Sequence, residues 1–189
     1  MERYFYHGLE FYMGDIGGAA DTMIKILNEG LITRNKARQH DDSNFDHVCL
    51  YKKNEEYDYE GENMVINSAL GGWIYHGFVF VLNPDIDARK AIVGKETNLV
   101  DEWRCDHDIP PSDIVGIALP YQSIQEYLDS DLSVCDEESR ADTNLFLQLF
   151  PQIMSIVQSR GLKVYDSDQA GFTDVADATL QESLGVAKK

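Results

Sequence analysis

The segment from Trp73 to Leu82 (Trp-Ile-Tyr-His-Gly-Phe-Val-Phe-Val-Leu) is almost unbroken in aromatic and β-branched residues, and Asn83-Pro84 closes it. It is the strongest strand signal in the chain, so the rest must be arranged around a sheet that contains it. Shorter strand-like runs occur at Tyr4-Phe5-Tyr6-His7-Gly8, His47 to Tyr51, Glu102 to Cys105, Ile114 to Leu119 and Lys163 to Tyr165. Helical patterns alternate with them irregularly. Ala19 to Glu29 carries Met23, Ile24, Ile26 and Leu27 and stops at Gly30. Asp21 or an earlier residue is its expected cap, after a glycine-rich turn at Gly14-Asp15-Ile16-Gly17-Gly18. Ser123-Ile-Gln-Glu126 matches a capping box, and Asp142 to Ser159 reads as a long helix that Pro151 should kink or break. Residues 34–46 and Lys52 to Glu62 read as loops, and the tail from Asp174 as a loosely held helix. Without regular βαβ alternation, the expected class is α+β.

The chain has 189 residues, which suits one domain with a real core. Residues 1–120 form the expected core, and residues 121–189 a helical extension that completes or caps it. Ten Tyr and eight Phe argue against disorder despite a formal charge of −17. That charge repels phosphate backbones, so nucleic acid and anionic membranes are disfavoured as partners. Lys36, Arg38, Lys52 and Lys53 are the residues from which a local basic patch could be built. No apolar run approaches the ~20 residues needed to span a bilayer, and Met1-Glu2-Arg3-Tyr4 does not begin a signal peptide. The expectation is a cytoplasmic protein, or one exported without a recognisable signal.

Cys49, Cys105 and Cys135 are odd in number and widely spaced, which is neither a disulfide framework nor a zinc signature. Cys49, inside Val48-Cys49-Leu50-Tyr51, reads as a core thiol. His76 and the tripeptide Asp106-His107-Asp108 invite a metal reading, but adjacent side chains converge poorly on one ion. No metal is expected.

Common nucleotide templates are absent. Gly14-x-x-Gly17-Gly18 has the wrong spacing for a dinucleotide fingerprint, and there is no P-loop lysine, Gly-x-Ser-x-Gly elbow or HExxH helix. What remains suits cleavage of an N-glycosidic bond. That reaction builds positive charge on a ribose and needs a carboxylate, an aromatic platform and anchors for hydroxyl groups.

On three segments the chain resembles the ADP-ribosyltransferase superfamily. They are Tyr6-His7-Gly8, the helix end Ile26-Leu27-Asn28-Glu29-Gly30-Leu31, and Glu102-Trp103-Arg104 followed by Asp108-Ile109-Pro110-Pro111-Ser112-Asp113-Ile114. The resemblance covers roughly residues 4–120. It implies a split antiparallel β core with flanking helices that binds NAD, as a substrate, in a cleft. It also implies roles for particular residues. His7 would contact the adenosine-side ribose, Gly8 would pair with the nicotinamide amide, and Glu102 would be catalytic. A Tyr or Ser on a central strand would frame the nicotinamide; Tyr51 is the preferred match and Ser68 the second. Arg34, just past the first helix, would be the residue to contact the pyrophosphate.

The function implied is NAD-dependent mono-ADP-ribosyl transfer to a macromolecular acceptor, expected to be protein, as in a toxin, effector or regulator. An NAD glycohydrolase using water is the near variant. A non-catalytic acidic binding module that keeps the same fold is the alternative of a different class. On that alternative His7 is a core histidine, Gly8 relieves crowding at a strand end, and Glu102 is one more solvated acid.

Overall fold

The computed structural model describes residues 4–11, 15–33, 36, 46–53, 76–91, 100–120, 124, 135–166 and 173–174. In chain order these give β1 (Phe5–Phe11), α1 (Ile16–Glu29), β2 (Val48–Lys53), β3 (His76–Leu82), β4 (Arg89–Lys90), β5 (Val100–Cys105) and β6 (Ile114–Leu119). Then follow α2 (Glu137–Arg160), β7 (Lys163–Asp166) and β8 (Thr173–Asp174), and a 3-10 turn, Pro111–Asp113, leads into β6. The strands form one eight-stranded sheet in the order β4-β5-β2-β1-β3-β6-β7-β8. Every adjacent pair is antiparallel except β6 and β7, which run parallel. A parallel neighbour requires a crossover, and the segment containing α2 makes it. The class is α+β with a mixed sheet, so β7 departs from an all-antiparallel expectation.

Side-chain alternation assigns the two faces. Phe5 and Leu9 of β1, Phe78, Phe80 and Leu82 of β3, and Val48 and Leu50 of β2 pack with Ile117, Leu119 and Cys105 beneath the helices. The opposite face carries Tyr6, Val79, Val81 and Ala118, with Tyr51 and Tyr165 against them. Helices α1 and α2 lie on the first face. In α1, Ile16, Ala19, Ala20, Met23 and Leu27 are buried, the spacing of one helical stripe. In α2 the stripe is Thr143, Phe146, Phe150, Ile153, Met154 and Val157.

Gly17 and Gly18 belong to the first turn of α1, not to a loop. The helix starts at Ile16, and Asp15 occupies the cap position without a side-chain cap bond. The capping oxygen comes from α2 instead: Asp142 Oδ1 accepts from the N–H of Gly17 at 2.9 Å and of Gly18 at 3.3 Å. A Cβ on Gly17 would lie 2.4 Å from the Asp142 carbonyl oxygen, so this glycine serves the close approach of two helices.

Helix α2 begins at Glu137, with the Asp136 side chain accepting from the Ser139 N–H, and Gly161 ends it in the left-handed conformation at φ 63°. It runs through Pro151 without a break. Phe146 and Phe150 on one side, and Ile153, Met154 and Val157 on the other, are all held in the core. Their packing outweighs the one backbone bond that proline removes.

Arg160, in the last turn of α2, joins three elements. It donates to the carbonyl of Leu27 at 2.6 Å, to that of Ile114 at 3.2 Å, and to that of Pro111. Replacing it by Met keeps the stem but leaves three carbonyls short of a donor. Arg160→Met should therefore lower unfolding free energy by about 2 kcal/mol in urea titration. A loss near zero would show that water satisfies these carbonyls equally well.

Candidate functional site

Register, not sequence proximity, builds the site. Strand β2 pairs with β5 so that Cys49 lies opposite Arg104 and Tyr51 opposite Glu102. Cross-strand partners share a face. Cys49, Tyr51, Glu102 and Arg104 therefore stand together on the face away from α1 and α2, where Tyr51 touches the Tyr6 and Val79 cluster. Arg104 Nε donates to Glu102 Oε1 at 3.2 Å, and the Glu102 side chain is 28% exposed. The carboxylate is thus fixed in position while one edge stays open to a ligand.

Cys49 is not a core thiol. Val48 and Leu50 take the helix side of β2, so alternation turns Cys49 to the other face, where it is half-buried. The core thiol is Cys105, fully buried, its pKa pushed up by burial. None of Cys49, Cys105 and Cys135 is in a disulfide.

His7 shares its parity with Phe5 and Leu9 and so belongs to the helix side of β1. The ladder between β1 and β2 consists of one register pair, Tyr6 with Tyr51. Where it opens, the His7 ring reaches across, and its Nδ1 lies 2.8 Å from the Cys49 carbonyl oxygen. A carbonyl only accepts, so Nδ1 carries the proton and donates. Burial lowers the His7 pKa, the Cys49 carbonyl opposing that shift. In the neutral ring Nε2 is then an acceptor. Gly8 pairs with Val79 of β3 and lies just past the opening.

His47, preceding β2, is buried, and its pKa is also lowered. Burial is the main cause, the Arg104 charge adds to it, and Asp106 and Glu102 oppose it. Both rings bind protons less readily folded than unfolded, where the value is about 6.5. Below that pH the unfolded chain takes up protons first, so stability should fall as pH drops from 7 to 5. Thermal melts over this range should show the slope, and the His7→Gln/His47→Gln double variant should flatten it. An unchanged slope would assign the effect to other groups.

Structure brings Tyr51 and Glu102 together directly, with His7 and Gly8 at the adjacent opening of the sheet but His7 on the other face by alternation. Arg34 and Ser68 lie outside the described residues. Of the basic residues, Lys36 pairs with Asp108. Lys52 Nζ sits 4.5 Å from the Phe5 ring centroid and 5.6 Å from that of Trp103. Neither Lys36 nor Lys52 forms part of a phosphate cradle in this arrangement. Around His107, Asp106 pairs with Arg89 while Asp108 turns to Lys36 and the Thr33 N–H. The tripeptide's acids point at different cations and do not converge.

One grouping escaped the sequence reading. His47, Cys49 and Glu102 place a ring nitrogen, a sulfur and a carboxylate oxygen all within 4.8 Å of one another. Its only local trace is His-x-Cys, the i, i+2 spacing that puts both residues on one face of a strand. The third member is supplied by β5.

Among the described residues, no helix is long and apolar enough to cross a membrane. No family model and no curated protein matches the chain.

Proposed function

We propose that the chain is an NAD-dependent mono-ADP-ribosyltransferase that transfers ADP-ribose from NAD to a protein acceptor, with release of nicotinamide. The observation that carries this reading is the register pair Tyr51–Glu102 beside the opening between β1 and β2. It supplies an aromatic ring and a held carboxylate on one surface, next to a strand segment whose ladder to β2 has ended. A split β core with a cleft is what the resemblance to ADP-ribosyltransferases implies, and the single β1–β2 pair is in keeping with it.

In this mechanism the bond between ribose C1 and the pyridinium nitrogen breaks, and its electron pair goes to that nitrogen. Neutral nicotinamide departs and a cationic ribose is left. The Glu102 carboxylate stabilises that cation, and the Tyr51 ring frames the departing nicotinamide. Electrostatic stabilisation of this kind is strongest where solvent is partly excluded, as at the half-buried Glu102. A nucleophilic oxygen, nitrogen or sulfur of the acceptor then attacks C1 and loses its proton. The Gly8 backbone can approach a carboxamide. The −17 charge disfavours a nucleic-acid acceptor.

The test is label transfer. NAD labelled in its adenylate half should mark protein in a lysate when wild type is added, and Glu102→Gln should leave the same bands unmarked. Equal labelling by both proteins would remove Glu102 from the chemistry. No labelling, together with stable complexes formed equally by both proteins, would favour the acidic binding module.

A further inference from the structure

From the grouping of His47, Cys49 and Glu102, we infer that this face of the sheet holds a binding site for one borderline-soft divalent cation, with zinc the best match. The three donor atoms lie within 4.8 Å of one another. Around a tetrahedral zinc, bond lengths of about 2.0–2.3 Å put neighbouring donors roughly 3.4–3.6 Å apart. Rotation of the side chains is enough to close that difference, because the two strands already set the backbone. His47 and Cys49 are two residues apart on one strand side, and the β2–β5 register puts Arg104 opposite Cys49 and Glu102 two residues before it.

The donor set selects the ion. An imidazole, a thiolate and a single carboxylate favour zinc over magnesium or calcium, which prefer all-oxygen shells. The Cys49 backbone is itself fixed by the His7 Nδ1–H bond to its carbonyl, which orients the thiol-bearing residue from outside the ligand set. Binding would draw Glu102 away from Arg104 Nε, its present partner at 3.2 Å. The thiol proton is released to solvent as the sulfur binds.

The site does not depend on the NAD reading, but one consequence does. A carboxylate that ligates an ion cannot also stabilise a ribosyl cation. Saturating zinc should therefore abolish nicotinamide release, and a chelator should restore it.

The direct test is cobalt(II) titration of metal-free, reduced full-length protein, followed by absorbance and then by zinc displacement. The expected result is uptake of one ion with a sulfur-to-cobalt charge-transfer band, all of it displaced by zinc. The band should vanish in Cys49→Ser and Cys49→Ala and persist in Cys135→Ser. Affinity should fall at least tenfold in His47→Gln and in Glu102→Gln. Circular dichroism of each variant separates a lost ligand from a lost fold. Binding without a thiolate band, or a band that survives both Cys49 variants, would overturn the site and leave only scattered binding to the acidic surface. Because metal uptake is read without NAD, this outcome is independent of whether the protein turns NAD over.

Discussion

Glu102→Gln is expected to slow nicotinamide release by about 10²–10³-fold, the usual loss when a preorganised charge-stabilising group is removed. The amide keeps the size of the carboxylate and its place opposite Tyr51, but not the negative charge that the ribosyl cation requires. The loss should fall on kcat, since the cation exists only in the transition state. Stability should barely move. Glu102 and Arg104 form a partly exposed pair with side chains 28% and 38% exposed, and such pairs contribute ~1 kcal/mol or less. A rate within threefold of wild type, in a protein with an unchanged melting curve, would mean that the carboxylate is not where charge develops.

Gly30→Ala is expected to be more damaging than an added methyl at Gly17, Gly18, Gly116 or Gly161. Gly30 sits at φ 91° and ψ −176°, a region essentially restricted to glycine that costs other residues about 1–3 kcal/mol. An added Cβ would also lie 2.1 Å from the Ile109 carbonyl oxygen. Neither partner can yield easily. Leu31 and Ile109 exchange backbone hydrogen bonds of 2.9 and 2.8 Å, and the Gly30 N–H is tied to Ile26 at 2.8 Å. Strain and overpacking together should remove about 4 kcal/mol, read as a drop in the urea midpoint or failure to fold. A loss under ~1 kcal/mol would show that the turn after α1 can relax away from Ile109. The contact matters for the site, because the Leu31–Ile109 bridge pins the segment that follows β5, the strand bearing Glu102.

How much of this was legible in the chain differs element by element, for physical reasons. The stop at Gly30 was readable, because only glycine tolerates such a turn; that it would be an extended positive-φ turn against Ile109 was not. Strand β6 was readable at both ends, since the Pro110-Pro111 turn and the apolar run leave little choice. Gly17 and Gly18 misled, because glycines at a helix start look like a loop until a second helix is found pressed against them. Pro151 misleads in the opposite sense: its cost is local, while the core that buries Phe146, Phe150, Ile153, Met154 and Val157 on either side of it is completed by the sheet and α1, distant in sequence. Cys49 reads as a core residue in sequence because an apolar run does not reveal its parity. Only the pairing of Val48 and Leu50 with the core shows which way the thiol turns.

The site was legible in part. Tyr51 and Glu102 could be singled out by residue type and setting, but their direct opposition is a property of the β2–β5 register. No sequence pattern fixes the register of strands separated by some fifty residues when both faces carry mixed side chains. The same register brings Glu102 to His47 and Cys49. The opening between β1 and β2, which turns His7 toward Cys49, has no sequence trace.

Incubation of the purified protein with NAD in the presence of a chelator, with nicotinamide quantified over time, bears most directly on the proposed activity. Chelation keeps Glu102 clear of any bound ion, and NAD binding can be followed on the same sample. Saturable NAD binding with nicotinamide release, slow without an acceptor and faster with lysate protein, is the predicted result. The absence of both binding and release at millimolar NAD would contradict it and leave the Tyr51–Glu102 pair as part of a protein-binding surface.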